Sequence, residues 1–551
     1  MTATHPPSPP SSPSPPPSSP SSPSPQGSGS LRPWPNWFRT LFMSDLWERF
    51  GFFGMQAILV LFAVAPRDEG GLGLAKADAA ALFGAWIGLA FMLCLPGGWV
   101  ADRVLGPRRT LVLGAAVTTV GHFALATPLL WLTPVALILL AVGMGLYKPN
   151  HQAMLNLMFK DSGRREAGIS LIYVGIQVSA LTSPLIAGFL GERVDWRLGF
   201  AVSGTAMLIG TVQVALAQHQ FQGIGAKPGR PLDEPEARRA KRLSGAALAV
   251  VALLLTGMAA GGGLNPASGI ALVGMITIIA PVVAYTVLYR SRELSGGDRR
   301  RLRSFLWIFL GSTLFWSLIA QDGSSLTLFA KHSTDREVLG FEVPVSWLQS
   351  ATPLFILVLA PVFAWFLLKH GGGRAGVPAK FSAGLLLTGV SFLVMAGAAG
   401  LASGEEKVSP LWLLVVYLMH ACGELIVAAV GIAAVADVLP RRFIAHMLGL
   451  LWLFAALGGG AGSGLVRLID VIPEALYYLL LAVLALSVGG TLALRRHSVA
   501  RGLAPETAAE AAAASEDGPG PTTGKTSPST GKTSPSTGKT SPSTGKDGDH
   551  A

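Results

Sequence analysis

Asp45, Glu48 and Arg49 stand at i, i+3 and i+4 in an otherwise apolar stretch, FMSDLWERFGFFGMQAILVLF, Phe42 to Phe62. At 3.6 residues per turn one helix face carries all three. A charge at bilayer depth costs ~2.5–3.5 kcal/mol on insertion scales, so that face is expected to look into a bundle interior or a water-filled path. Lys148 and Glu424 are single charges in two other apolar runs and need partners for the same reason. A carboxylate that is alternately paired with Lys or Arg and left alone changes its proton affinity. Such a swing can tie a protonation step to the opening of one side of a carrier. Cys94 and Cys422 also lie in apolar runs, where each reads as a small buried side chain rather than a disulfide partner or metal ligand.

These residues must be positioned by membrane helices. Half of the 551 residues are hydrophobic and only 13% are charged, with a mean hydropathy of +0.50, outside the range of soluble domains. About fourteen apolar stretches of spanning length lie between residues 38 and 494, each near or above the ~20 residues that cross a bilayer core. The net charge of +11 is confined to short connections on one side of these stretches. Arg103, Arg108 and Arg109 lie in one, and Arg299, Arg300 and Arg301 in another. This is positive-inside patterning rather than a nucleic-acid surface, and it predicts that both termini are cytoplasmic.

The organisation follows from composition. Residues 1–34 are a Pro/Ser-rich cytoplasmic tail, and 35–217 form an N-terminal six-helix bundle. Residues 218–301 hold a polar linker and two uncharged apolar helices, read as a peripheral hairpin. Residues 302–496 form a C-terminal six-helix bundle, and 497–551 a second disordered cytoplasmic tail ending in TGKTSPS repeats. The GKT triplets lack the upstream Gly and the preceding strand of a phosphate loop. With no nucleophile elbow and no metal-spaced His/Cys set, the chain is not expected to be an enzyme. The fold class expected is an all-α polytopic membrane protein, two six-helix bundles plus two additional central helices, with a substrate site between the halves.

The motifs narrow this reading. GGWVADRVLGPRR, Gly97 to Arg109, resembles the cytoplasmic loop of the major facilitator superfamily, with Gly98, Asp102, Arg103, Gly106, Arg108 and Arg109 at its marked positions. DLWERFGFFG, GLYKPNHQ, ISLIYVGIQ, LFWSLIAQDGSS, SWLQSATP and the helix from Ser409 through Gly423-Glu424 to Gly431 follow in order. Together they resemble the proton-dependent oligopeptide transporter family, with two added central helices as in bacterial members. The resemblance implies a major facilitator fold and a central cavity lined by Arg49, Phe53, Gln56, Phe91, Lys148, Gln177, Trp316, Thr352, Glu424 and Trp452. It also implies that Arg49 and Lys148 face a substrate carboxylate and Glu424 an amino group, with Asp45 and Glu48 in the proton and salt-bridge network. The activity implied is proton-coupled symport of di- and tripeptides by alternating access in the inner membrane. The chain would act as a monomer in the lipid bilayer, driven by the proton gradient, with no cofactor or metal and no nucleic-acid partner.

Departures from the pattern favour a rival, a divergent carrier of another small polar or zwitterionic solute with weakened or absent proton coupling. The first Glu of the motif is Asp45, an Arg of the first helix falls at Gln56, and a Glu thought to take part in coupling falls at Ala320. Phe91, Gln177, Thr352 and Ala428-Ala429 replace residues that would contact a peptide. Asp322, two residues past Ala320, would point about 200° away on a regular helix. Coupling is then expected to rest on Asp45, Glu48 and Glu424. His122, His420 and His446 read as satisfied helix residues rather than proton relays, with His420 the strongest candidate because it shares a face with Glu424. A non-transporting sensor would bind without flux, and the tails offer it no folded output domain.

Overall fold

Pro35, which has no N–H to leave unpaired, opens the first membrane helix: its carbonyl accepts from Phe38 and Arg39, and Ala65-Pro66 closes the helix after α1, Asn36–Val64. The computed structural model describes residues 33–159, 161–260, 265–292, 294–370, 376–402, 406–436 and 444–503. The remaining long helices are α2, Lys76–Met92; α3, Pro107–Leu125; α4, Thr133–Met158; α5, Ser162–Ser183; α6, Trp196–Leu216; and α7, Glu234–Ala260. They continue with α8, Pro266–Tyr289; α9, Gly296–Ile319; α10, Ala351–His370; α11, Gly376–Leu401; α12, Leu411–Ala436; α13, Ile444–Leu465; and α14, Glu474–Leu494.

Among the described residues, eleven helices are long and apolar enough to cross a membrane. The expected count of fourteen is therefore not confirmed. The other three expected stretches, α3, α7 and α12, are helical but fall outside those eleven, α12 contributing a shorter apolar run, Leu411–Val427. Both tails lie outside the described residues, apart from Pro33 and Trp34 at one end and the short helix Arg496–Leu503 at the other.

One set of helices packs α1 against α5 and α6, and α3 against α4 and α6. A second set packs α11 against α12 and α14, and α9 against α13. Two seams join the sets, α2 on α13 and α5 on α10. The α2–α13 seam is built from missing side chains. A Cβ at Gly459 would lie 2.7 Å from the Gly88 amide nitrogen and 2.8 Å from the Gly84 carbonyl oxygen. Backbones therefore touch, as small residues allow between membrane helices. The second helix of the expected peripheral hairpin also enters this seam. α8 packs on α2 and α13, with Thr277 fully buried where Gly460 leaves room. Its lack of charge marked it as unlike the other helices, but small residues rather than charges decide how closely helices can approach.

At one end of the molecule the seams are latched by polar contacts. Glu192 accepts from the Val345 and Ser346 amides, each at 2.8 Å, at the start of the short helix Val345–Gln349. Trp347 donates to the Leu185 carbonyl at 3.0 Å and Ser350 to that of Leu181 at 2.8 Å. A two-stranded ladder, Glu337–Val338 with Phe341–Glu342, sits at this end, turned by Leu339 and Gly340 at positive φ. With an isolated bridge between Thr334 and Val408, it departs from the all-α expectation. Its Glu342 meets both Arg193 and Arg336.

Filling the seam should loosen it. Gly459→Ala puts a methyl group against backbone atoms, at about 1–3 kcal/mol for overpacking, and should lower the thermal unfolding midpoint in detergent by several degrees. Gly464→Ala, on the same helix with no atom within 4 Å of the added carbon, should leave it unchanged. Equal midpoints for the two variants would remove the seam as a stability determinant.

Candidate functional site

α1 delivers Asp45, Glu48 and Arg49 together, as their spacing predicts, and all three are buried. Arg49 Nε lies 2.8 Å from Glu48 Oε2 and 3.9 Å from Asp45 Oδ1. Proximity without alignment characterises the first contact: neither Glu48 Oε2 nor Arg49 Nε has a hydrogen-bond partner among the described residues. The charges neutralise one another while both groups keep an open bonding position. α4 completes the cluster with two residues that sequence reasoning passed over. His151 Nδ1 is 3.5 Å from Asp45 Oδ1, and its Nε2 is 3.0 Å from the Leu41 carbonyl oxygen. Tyr147 stacks on that imidazole and shares a 2.5 Å hydrogen bond with Ser44. His151 stood inside the GLYKPNHQ motif, two helical positions past Pro149. The signal was its place on the face of Tyr147, four residues earlier.

Proline shapes this part of α4. Pro149 has no amide to give, and Asn150 instead donates to the Leu146 carbonyl at 2.7 Å and the Gly97 carbonyl at 3.3 Å. A Cβ on Gly97 would strike the Gly145 carbonyl, so α4 and the helical segment after α2 lie backbone to backbone. Lys148 is carried toward the middle of the molecule. Its ammonium sits 4.4 Å from the Phe91 ring centroid and 5.0 Å from that of Trp452, two rings stacked 5.7 Å apart across the α2–α13 seam. Aromatic faces attract a cation by about 0.5–2 kcal/mol depending on desolvation. They hold Lys148 without neutralising it, which leaves its charge available to an anion.

The second set of helices supplies the opposite sign. Glu424 on α12 is half-buried and forms no ion pair among the described residues. Tyr173 on α5, another residue the sequence reading did not single out, packs against Ala421, Leu425 and Ile356 beside it. Gln177, one turn later, is buried. Phe53, Gln56 and Trp316 are half-buried, and Thr352 is buried with its hydroxyl lacking a partner among the described residues. Ala428 and Ala429 have side chains outside the described set.

Asp322 departs from expectation. α9 stops at Ile319, and Ala320–Gly323 winds as a tighter 3-10 turn, so the regular-helix argument against Asp322 no longer applies. Gln321 pins the turn, accepting from Ser325 at 2.8 Å and Tyr477 at 3.0 Å. Asp322 Oδ1 thereby comes within 2.8 Å of His420 Nδ1. His420 is satisfied, as predicted, by Asp322 and by Ser391 at 2.9 Å. His122 is not: it is buried beside Gly51 and Gly204, and its Nδ1 has no partner among the described residues. The side chain of His446 lies outside the described set.

The loop from Gly98 to Arg109 lies far along the chain from these charges and is held by the linker. Gly106 takes a φ of 85°, and a side chain there would meet Gly225 and Lys227 backbone atoms at 2.8 Å. Arg103 pairs with Glu236, the Arg108 amide donates to Gly225 at 2.9 Å, and the Arg230 amide donates to the Asp102 carbonyl at 3.0 Å. Asp102 and Arg109 are exposed, and Gly98 is half-buried.

Known proteins share this fold. The PTR2 model, that of the POT family, matches residues 108–480. A di-/tripeptide transporter of Lactococcus lactis subsp. cremoris is 32% identical over 470 residues, covering 83% of this chain and 94% of the relative. Among solved structures, that of peptide transporter POT in complex with sulfate superposes with a TM-score of 0.81 at 33% identity, covering 86% of this chain and 97% of that one. A POT family transporter in complex with 5-aminolevulinic acid gives 0.80 at 28% identity, covering 84% and 97%. With the relative and both solved structures covering more than four fifths of the chain, the chain belongs to the POT family of membrane transporters and is not an enzyme.

Proposed function

We propose that the protein is a secondary carrier that takes up di- and tripeptides with protons by alternating access. It would sit in the inner membrane with both termini cytoplasmic and work as a monomer, with the proton gradient as its driving force and no cofactor. The observation that carries this reading is the placement of unlike charges. Lys148 is held by rings but not neutralised on the first set of helices, and Glu424 is without an ion pair among the described residues on the second. A zwitterionic backbone offers a carboxylate to the one and an ammonium to the other, and bridging both draws the two sets together. His151, which completes the Asp45, Glu48 and Arg49 cluster, stands three residues after Lys148 on α4. A proton on Glu48 would release Arg49 to share in binding the carboxylate.

A second reading has its own support. Gln56 and Ala320 carry no charge, Phe91 and Thr352 offer less to a peptide backbone, and a POT family relative has been crystallised with 5-aminolevulinic acid. A smaller zwitterion also spans a cationic and an anionic group. The two readings part on what competes for the site.

In liposomes, uptake of labelled Ala-Ala should rise with an inward proton gradient. Glu48→Gln should abolish that rise while retaining counterflow, since the amide cannot cycle a proton. Gradient-independent flux in the native chain would make it a facilitator. In the same assay N-acetylated and C-amidated dipeptides should each compete at least ~10-fold more weakly than Ala-Ala, because each leaves one charge of the site unmet. Competition by 5-aminolevulinic acid equal to that of Ala-Ala would shift the substrate to the second reading.

A further inference from the structure

Ser391 bears on where a proton sits. Its hydroxyl oxygen lies 2.6 Å from the Thr388 carbonyl oxygen, which can only accept, so the single hydroxyl hydrogen points there. The contact between the Ser391 oxygen and His420 Nε2, at 2.9 Å, must then be donated by Nε2–H. With Nε2 carrying its hydrogen, neutral imidazole has only a lone pair at Nδ1. Yet Nδ1 is 2.8 Å from Asp322 Oδ1. Two lone pairs do not meet at that distance, so one more proton sits between them, on the ring or on the carboxyl. His420 has no exposed surface, whereas the Asp322 side chain keeps 18% of its own. The proton therefore arrives and leaves through Asp322.

We propose that Asp322 and His420, braced by Ser391, form a proton-binding site in the second set of helices and supply a coupling proton for transport; the coupling role rests on the carrier reading above. With the proton present the pair is neutral overall and closed. When it passes from Asp322 to water in the pathway, a carboxylate is left facing a bare nitrogen. The pair must then part, unless Ser391 turns its hydroxyl from Thr388 toward Nε2 and lets the neutral ring carry its hydrogen at Nδ1.

The surroundings make the site responsive. Glu424 and Tyr417 on α12 are the other titratable groups that face it from that helix. α11 contributes only the Ser391 and Thr388 hydroxyls. From α14, the Tyr477 and Tyr478 phenols are engaged with Gln321 and Ser325. No lysine or arginine among the described residues forms an ion pair with Asp322. A hydrogen-bond chain also joins the site to α1. Gln349 donates to the Ala57 carbonyl at 3.2 Å and to Thr327 at 3.0 Å, and Thr327 donates to the Asp322 carbonyl at 2.7 Å. Separation of α1 from the second set of helices would break that chain at Ala57 and free the turn that aims Asp322.

The test counts protons first and transport second. Protein in lipid nanodiscs is taken from mildly acidic to mildly alkaline pH with a soluble indicator dye. The native chain should release about one proton more than the Asp322→Asn/His420→Gln double variant. The single variants, of which His420→Gln keeps an amide able to bond Asp322 and Ser391, stand in if the double variant fails gel filtration. In liposomes the same variants should lose gradient-driven accumulation of Ala-Ala about tenfold or more while counterflow stays within about threefold of native. Equal proton counts overturn the site whatever the substrate. A reduced count with gradient-driven accumulation intact overturns its coupling role. A reduced count in a native chain that moves no Ala-Ala in either format upholds the proton site and overturns the peptide reading instead.

Discussion

A charge in a bilayer-spanning helix has nowhere to go except to another charge, a ring face or a backbone dipole, and this structure is arranged around satisfying that demand partially. Full neutralisation would bury inert ion pairs, and none would leave the helices uninsertable. The compromises differ from place to place. Arg49 meets two carboxylates, one close and one distant. Lys148 meets two rings, and His420 meets a carboxylate and a hydroxyl. The first two leave a bonding position that a substrate can fill, and the third holds a proton that can be exchanged, which is how a membrane protein stores binding capacity in its interior.

The same demand explains how the chain tolerates what it lacks. Removing one partner of a buried ion pair costs about 3–5 kcal/mol because the other is stranded, whereas removing both strands nothing. Gln56 and Ala320 stand where a pair would otherwise be expected, and no orphan is left at either position. Two residues on, the broken helix places an aspartate against a histidine. That contact is made within the second set of helices itself.

Much of this was legible in the residue order. The i, i+3, i+4 charges of α1, the apolar runs and the loop glycines read directly, because helical period and desolvation act locally. Lys148 could be placed in the pathway, but not between two rings contributed by helices some 55 residues before it and 300 after. What escaped was set by long-range contact. Asp322 was judged on a regular helix, and that helix ends early at a turn where Gln321 is gripped by Tyr477 from another helix as well as by its neighbour Ser325. His151 and Tyr173 escaped because a histidine or tyrosine inside a motif looks like its background until a partner from another helix is seen. The packing of α8 escaped because the Gly, Ala and Thr residues among its larger apolar ones permit close approach without saying to what.

The two ends of the molecule are held in different ways, and the difference has a mechanical consequence. At the Glu192 end the latch runs between the sets of helices: a carboxylate on the first meets two backbone amides leading into the second, with Trp347 and Ser350 bonded back across. At the Arg103 end, the loop is tied to its own linker through Glu236, Gly225 and Arg230. Opening the first end must therefore break interactions between the sets, while the loop's ties at the second need not be lost. The hydrogen bond from Gln349 to Ala57 belongs to the first group and is continuous, through Thr327, with the backbone of Asp322. The end latched between the sets is thus the end wired to the proton-bearing turn. Protonation state and closure are then biased by one connected element, which is what coupling physically requires.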